Sequence, residues 1–215
     1  SITIKPVLYG NIVSRLLRVP VRIASITGLG YVFIASGVRS KLFRVVIALL
    51  YRLALSGAKI VIFQNNSDRD VLKKFSAIKP EQELFIRGSG VDLSLYPVLP
   101  EQEGRPVVML AARLLIDKGV NEFVGAAEII KAQADNVRMV LVGDIDRENP
   151  KSISMQKINS WVDANIIEYW GYSTDIAITI SKSNIIVLPS YREGLPKILI
   201  EAAACGRAVV TTDVP

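Results

Sequence analysis

Histidine is missing from this sequence of 215 residues, and cysteine occurs once. Without histidine, any site in this sequence lacks the commonest general base and metal ligand. Cys205 has no second cysteine to pair with, which excludes an internal disulfide and fits a reducing compartment. It follows three alanines, so we expect a small buried side chain there. Long apolar runs are also missing, since the longest, residues 45–51, is far short of the roughly 20 residues that cross a membrane.

Acidic residues are absent from the first part of the chain. The first acid is Asp68, and nine lysines and arginines precede it. Residues 1–97 hold fourteen bases and five acids, whereas residues 98–215 hold twelve bases and fifteen acids. This imbalance predicts an anionic partner for the first part, either lipid headgroups or nucleic acid. An ordinary solvated surface of a basic protein is the alternative.

Residues 39–55 combine this positive charge with apolar side chains. Lys41, Arg44 and Arg52 are spread among leucine, valine, isoleucine and phenylalanine. Such a basic amphipathic helix can lie on an anionic membrane surface. The alternative is a helix buried in its domain, with the bases extending to solvent.

Short apolar segments alternate with helical patterns along the whole chain, which predicts an α/β fold with parallel sheets. The predicted strands are residues 21–26, 59–63, 84–86, 107–110, 137–142, 166–169, 185–188 and 208–212. The predicted helices are residues 7–17, 39–55, 68–74, 119–133, 155–162, 174–181 and 196–205.

A proline-rich segment separates two regions of this pattern. Residues 96–106 contain three prolines and three charges, a composition typical of an interdomain linker. We place the linker at residues 98–106, between a first domain at 1–97 and a second at 107–215. The chain begins in an apolar stretch without methionine and ends after a predicted strand, so we expect an interior portion of a longer protein.

Two cations follow the predicted strand 107–110 in the loop before the next helix. They are Arg113 and Lys118. Ligands of α/β proteins bind beyond the carboxyl ends of the strands. Arginine as a planar fork and lysine as a point charge are suited to clamping a diphosphate there. Solvated loop charges are the alternative explanation.

Glycines also follow two predicted strands. Gly143 indicates a tight turn, either near a ligand or purely structural. Gly171 precedes Tyr172, whose ring is suited to stacking on a nucleobase or to ordinary packing. We expect Ser173 or Thr174 to cap the helix that follows.

Two glutamates bracket the junction between a predicted strand and the last predicted helix. Glu193 follows the strand, and Glu201 lies on one face of the helix, which Pro196 is suited to begin. The amides of Gly194 and Leu195 are then free to face an anion or a sugar oxygen. Carboxylates accept sugar hydroxyls and helix N-termini attract phosphate, so the pattern predicts a pocket for a polyhydroxylated, phosphate-bearing ligand.

Taken in order, these motifs resemble the donor-domain motifs of retaining glycosyltransferases of family 4. The matching positions are Arg113 with 118–119, 141–144, 170–171, and 193–196 with 201–202. Residues 3–6, 27–31 and 88–92 resemble, less specifically, the acceptor domain of bacterial members that build lipid-linked or surface polysaccharides. The resemblance implies the GT-B fold, which has two Rossmann-like parallel-sheet domains, both present here only in part, and an active site in the cleft between them.

The resemblance also implies a role for each matching residue. Arg113 and Lys118 would bind the donor diphosphate and stabilise the leaving group. Glu193, with the amides of Gly194 and Leu195, would hold the transferred sugar. The remaining donor contacts would be Glu201 with the ribose hydroxyls, and Gly171 and Tyr172 with the base. The resemblance implies no metal, because family members need none, and no cofactor, because the nucleotide sugar is a substrate. It also implies front-face attack, with the donor phosphate acting as the base.

The expected protein is a cytoplasmic transferase peripheral to the inner face of the cell membrane. It would move a hexose from a UDP-sugar, rather than a GDP-sugar, to a lipid-linked or saccharide acceptor in bacterial polysaccharide or lipopolysaccharide synthesis. It would contact anionic membrane and no nucleic acid. The family's glycine-rich loop and the end of its donor domain are not in the sequence, so we expect this portion alone to bind a donor weakly or to be inactive.

Three other interpretations remain open. Another GT-B enzyme, such as a nucleotide-sugar 2-epimerase, has the same architecture and needs no acceptor. A Rossmann dehydrogenase needs Gly-x-Gly-x-x-Gly, and the nearest match, Gly28 and Gly30, has Phe33 in the third position. A basic binding module for membrane or nucleic acid needs only the first part of the chain.

Overall fold

The computed structural model describes residues 2, 4–27, 38–75, 77–133 and 136–214, with the backbone alone for 38–44. The chain divides into two compact units, residues 1–89 and Gly90–Val214. Most of the motif at 27–31, with Phe33, lies outside the described residues, as does residue 3 of the motif at 3–6. Residues 98–106 contain no helix or strand, and their assignment as a linker stays a prediction.

The first unit contains a parallel sheet with helices. A π-helical turn, Pro6–Gly10, leads into α1 (Asn11–Leu16). Within the described residues, the sheet order is β1-β2-β3, and all the pairs are parallel. The other elements are β1 (Ile23–Ile26), α2 (Val38–Leu55), β2 (Ile60–Phe63), α3 (Asn66–Lys74) and β3 (Glu83–Phe85).

Helix α2 has two different apolar faces. Tyr51 and Leu55 are fully buried and pack with Phe63 of β2 in the core of the first unit. Leu49 and Leu53, one helical turn apart, are 58% and 49% exposed. Helix α2 is therefore built into its unit and also presents apolar side chains to solvent. Contact of this helix with a membrane surface stays a prediction.

The second unit is a doubly wound α/β sheet. Within the described residues, its strand order is β6-β5-β4-β7-β8, with every pair parallel. The elements in chain order are β4 (Val107–Ala111), α4 (Val120–Gln133), β5 (Arg138–Val142), α5 (Met155–Asp163), β6 (Glu168–Tyr169), α6 (Ile176–Ser181), β7 (Ile185–Leu188), α7 (Lys197–Ala204) and β8 (Ala208–Thr211). The chain winds outward in one direction from β4 through β5, and in the other from β7. The crevice beyond the carboxyl ends of β4 and β7 is therefore the expected ligand site of this sheet.

Every predicted strand and helix overlaps an observed one, and the α/β class with parallel sheets is confirmed. Boundaries differ by about two residues in places, as in the strand predicted at 166–169, where pairing is confined to Glu168–Tyr169. Cys205 is 1% exposed and lies in the core of the second unit, as expected. The prediction that Ser173 or Thr174 caps α6 is wrong. Asp175 is the N-cap, because its carboxylate accepts the amide of Ile178 at 3.0 Å.

Candidate functional site

The loops that follow β4 and β7 are locked together at the switch point of the second sheet. Gly119 has φ +76°, and a Cβ added there would lie 2.1 Å from the carbonyl oxygen of Pro189. The amide of Tyr191 donates to the carbonyl of Asp117 at 3.0 Å. A side chain at position 119 would separate these backbones, so the glycine after Lys118 is required for the loops to meet.

The loop after β5 packs against the same region. Gly143 has φ +144°, and a Cβ there would lie 1.8 Å from the carbonyl oxygen of Ala112. Its amide donates to the carbonyl of Gly171 at 2.8 Å. This close backbone packing supports the structural explanation for Gly143, and it holds the ends of β4, β5 and β6 at one edge.

Lys118 and Glu193 form an ion pair across the locked loops. Their side chains are 23% and 16% exposed, so the pair is half-buried. The sequence predicts that Lys118 and Glu193 each bind the ligand, but it does not indicate that they contact each other. The fold brings together a cation after β4 and a carboxylate after β7, because β4 and β7 are adjacent strands.

Arg113 lies on the same loop as Lys118 but has a different partner. Its Nη1 is 3.2 Å from Oδ2 of Asp146, and its side chain is 66% exposed. An exposed pair of this kind contributes little stability, so Arg113 can exchange Asp146 for another anion at small cost. Asp146 carried no signal in the sequence, because it follows β5 and meets Arg113 through the fold.

Glu201 is buried in the second unit, with 6% exposure. Its Oε1 accepts a hydrogen bond of 2.7 Å from the hydroxyl of Tyr96 and lies 3.3 Å from Nζ of Lys197. Bonding to Glu201 and burial together raise the pKa of Tyr96 to about 12, so its hydroxyl remains a donor near neutral pH. Tyr96 was missed in the sequence, because 105 positions separate it from Glu201.

The remaining predicted residues lie in the loops around these groups. Gly194 and Leu195 form the bend before α7, in which Pro196 is the N-cap rather than part of the first turn. Gly171 has φ +72°, and Tyr172 is 71% exposed. Tyr172 also lines a cavity of about 320 Å³ beside Asp175. Exposure leaves the Tyr172 ring accessible for stacking, and the contact with a base stays a prediction.

The described ranges contain neither a metal cluster nor a helix that could span a membrane. No group of three or more aspartate, glutamate or cysteine side chains is placed there to hold a metal ion. None of the described helices combines the length and apolar character needed to cross a bilayer. The expectation of a metal-independent reaction stays a prediction.

The chain resembles known proteins over most of its length. A relative from Campylobacter jejuni, N,N'-diacetylbacillosaminyl-diphospho-undecaprenol alpha-1,3-N-acetylgalactosaminyltransferase, is 34% identical over 218 residues, which cover 95% of this chain and 56% of the relative. The capsular polysaccharide biosynthesis glycosyltransferase CapM of Staphylococcus aureus is 29% identical over 108 residues, which cover 50% of this chain and 28% of CapM. The chain thus spans about half or less of the length of these relatives.

Solved structures have the same fold. Anabaena Alr3699/HepE in complex with UDP superposes with a TM-score of 0.77 at 20% identity, covering 98% of this chain and 58% of that one. WaaG, a glycosyltransferase involved in lipopolysaccharide biosynthesis, superposes with a TM-score of 0.70 at 17% identity, covering 89% and 56%. The family model described as Glycosyl transferases group 1 matches residues 105–215, which include the loops after β4 and β7. The chain therefore belongs to the group 1 glycosyl transferases and has, in part, their GT-B fold.

Proposed function

We propose that the complete protein is a retaining, metal-independent glycosyltransferase. It moves a sugar from a UDP-sugar to a lipid-linked or saccharide acceptor in bacterial polysaccharide or lipopolysaccharide synthesis. Family membership supports the transferase activity. The name of the Campylobacter jejuni relative describes a diphospho-undecaprenol acceptor, and the HepE complex contains UDP, which supports the choice of acceptor and donor.

The observation that carries the proposal is the half-buried ion pair of Lys118 and Glu193 at the switch point. An incoming diphosphate competes with Glu193 for Lys118, because both are anions. Its binding releases the Glu193 carboxylate to accept hydroxyls of the transferred sugar. The ion pair is thus a preorganised site. On donor binding, Lys118 contacts the diphosphate and Glu193 contacts the transferred sugar.

The reaction proceeds on one face of the sugar. The bond from C1 to the diphosphate oxygen breaks, and its electron pair leaves with that oxygen. The acceptor oxygen bonds C1 from the same face and transfers its proton to the departing phosphate oxygen. Lys118 and Arg113 stabilise the charge that develops on the diphosphate, so the cations act in the transition state. Glu201 binds the ribose hydroxyls, and Gly171 and Tyr172 contact the base.

Turnover by the full-length protein tests these roles. Lys118→Ala, Arg113→Ala and Glu193→Ala are each expected to lower kcat about a hundredfold or more, as loss of a preorganised transition-state contact does. Lys157→Ala removes a cation of α5 that bonds Asn121, and serves as the matched control with unchanged turnover. Near-normal activity in all three site variants contradicts the assignment. Free UDP with an isomerised sugar, formed without acceptor, identifies a 2-epimerase instead.

We also propose that the first unit contacts an anionic membrane on its cytoplasmic face. Helix α1 ends at Leu16 and packs against α2. Leu16 and its C-cap residue, Leu17, are 76% and 72% exposed. The exposed Arg15 and Arg18 flank these leucines, so apolar and cationic groups share one surface. Leu49 of α2 adds a further exposed apolar side chain.

Sedimentation with vesicles tests the membrane contact. Full-length protein is expected to bind vesicles that contain phosphatidylglycerol and to bind phosphatidylcholine vesicles weakly. The double variant Leu16→Ser and Leu49→Ser is expected to lose this binding. Ile129→Ser, which alters an exposed apolar residue of α4, is the matched control. Equal sedimentation of the double variant and the wild type, or salt-sensitive binding to duplex DNA in place of vesicles, overturns the proposal.

A further inference from the structure

The hydroxyl of Tyr96 donates a hydrogen bond to Glu201, and no sequence motif predicts this contact. The phenol and the carboxylate are 8% and 6% exposed, and the hydrogen bond between them is 2.7 Å long. Tyr96 packs in the core of the second unit with Met109, Ala202 and Cys205. A buried side chain in a packed core holds one rotamer, so its hydroxyl occupies a defined position.

The segment that carries Tyr96 is itself anchored. The amide of Tyr96 donates to the carbonyl of Leu93. This turn is capped by the carboxylate of Asp92, which accepts hydrogen bonds from the amide and the hydroxyl of Ser94. Farther along, a Cβ added to Gly206 would lie 3.0 Å from Val98, so the segment packs against the end of α7. The backbone on both sides of Tyr96 is therefore positioned against the helix that carries Glu201.

The second partner of Glu201 is exposed to solvent. Lys197 lies 3.3 Å from the same Oε1, but its side chain is 61% exposed, and solvent screens such a pair. The buried hydroxyl of Tyr96 is the contact that defines the orientation of the carboxylate. Both contacts engage Oε1, and neither engages Oε2.

We propose that Tyr96 is a positioning residue of the donor site, which holds Oε1 of Glu201 so that Oε2 accepts the ribose hydroxyls of the nucleotide. This inference rests on the proposed function, because it needs a nucleotide at Glu201. A purely structural bond would stabilise the fold and would affect all nucleotides equally. A positioning bond affects those nucleotides that carry ribose hydroxyls.

Calorimetric titration of the full-length protein separates these roles. UDP and 2′,3′-dideoxy-UDP are titrated into the wild type, Tyr96→Phe, Glu201→Gln and the double variant. The wild type is expected to prefer UDP. Tyr96→Phe is expected to weaken UDP binding about tenfold, as loss of a charge-assisted hydrogen bond does, with little effect on the dideoxy nucleotide. The double variant is expected to bind UDP no more weakly than Glu201→Gln.

Tyr169→Phe is the matched control. It removes a hydroxyl that donates to the carbonyl of Gly143 at 2.9 Å, in the same unit, without touching Glu201. It is expected to lose stability and to keep the wild-type preference for UDP. In turnover assays, Tyr96→Phe is expected to raise KM for the UDP-sugar with kcat nearly unchanged.

The possible failures are distinguishable. A wild-type UDP preference in Tyr96→Phe overturns the positioning role and leaves the proposed function intact. Absence of UDP binding by the wild type overturns the proposed function and this inference with it. Should Tyr96→Phe not fold, 3-fluorotyrosine at position 96 retains the ring and the hydroxyl but ionises at lower pH. Loss of the UDP preference at correspondingly lower pH supports the role, and an unchanged pH profile refutes it.

Discussion

Gly119→Ala is expected to be among the most damaging small substitutions in the second unit. Its φ of +76° is left-handed, which costs a residue with a Cβ about 1–2 kcal/mol. The new Cβ would also lie 2.1 Å from the carbonyl oxygen of Pro189, and relieving such overpacking by backbone shifts costs about 1–3 kcal/mol more. The expected loss in the free energy of unfolding is therefore about 2–5 kcal/mol.

Two other glycines separate these contributions. Gly90 has φ +68° with nothing within 4 Å of an added Cβ, so Gly90→Ala measures the conformational cost alone. Gly125 lies within α4, also with open space around it, so Gly125→Ala is expected to stabilise by about 0.5–1 kcal/mol. Denaturant unfolding of the three variants provides the comparison.

The same substitution also reports on the candidate site. Because Gly119 follows Lys118 directly, separating the loops displaces Lys118 from Glu193. Gly119→Ala is expected to weaken UDP binding, and Gly90→Ala is expected to leave it unchanged. A Gly119→Ala variant that is no less stable than Gly90→Ala would show that the loops after β4 and β7 do not approach as described.

Two further variants test charges of the second unit. Arg138 holds Glu168 through two hydrogen bonds of 2.6 and 2.7 Å, and this pairing, assisted by Trp170, lowers the pKa of Glu168. The stabilisation of the fold by the Arg138–Glu168 pair is complete above the ordinary carboxyl pKa of 4.5. It is lost as the pH falls through the lowered pKa of Glu168. Glu168→Gln should therefore cost about 1 kcal/mol near neutral pH, because both side chains are partly exposed, and should flatten the acid side of the stability profile measured by denaturant unfolding. Asp146→Asn releases Arg113, and calorimetry is expected to show UDP binding up to about fivefold tighter; weaker binding would contradict a diphosphate contact by Arg113.

Local pattern determined much of the fold. Strand and helix positions follow from side chains a few residues apart, so the predicted strand at 185–188 and the helices at 39–55 and 119–133 agree closely with the structure. The cap of α6 shows the limit of local reasoning. Three neighbouring polar residues are all acceptable N-caps, and the backbone at Asp175 determines which one accepts the amide of Ile178.

The sequence by itself determined the α/β class, the residues that follow each strand and the family to which their order belongs. Only the tertiary structure decided which of these residues meet. Strand order places β4 beside β7, which pairs Lys118 with Glu193. Packing in the second unit brings Tyr96 into contact with Glu201, which is 105 positions away in the sequence. In α2, one side of the helix is buried, and Leu49 on the other side is exposed. These contacts join residues far apart in the chain, and no periodic pattern records them, because they depend on how whole elements pack.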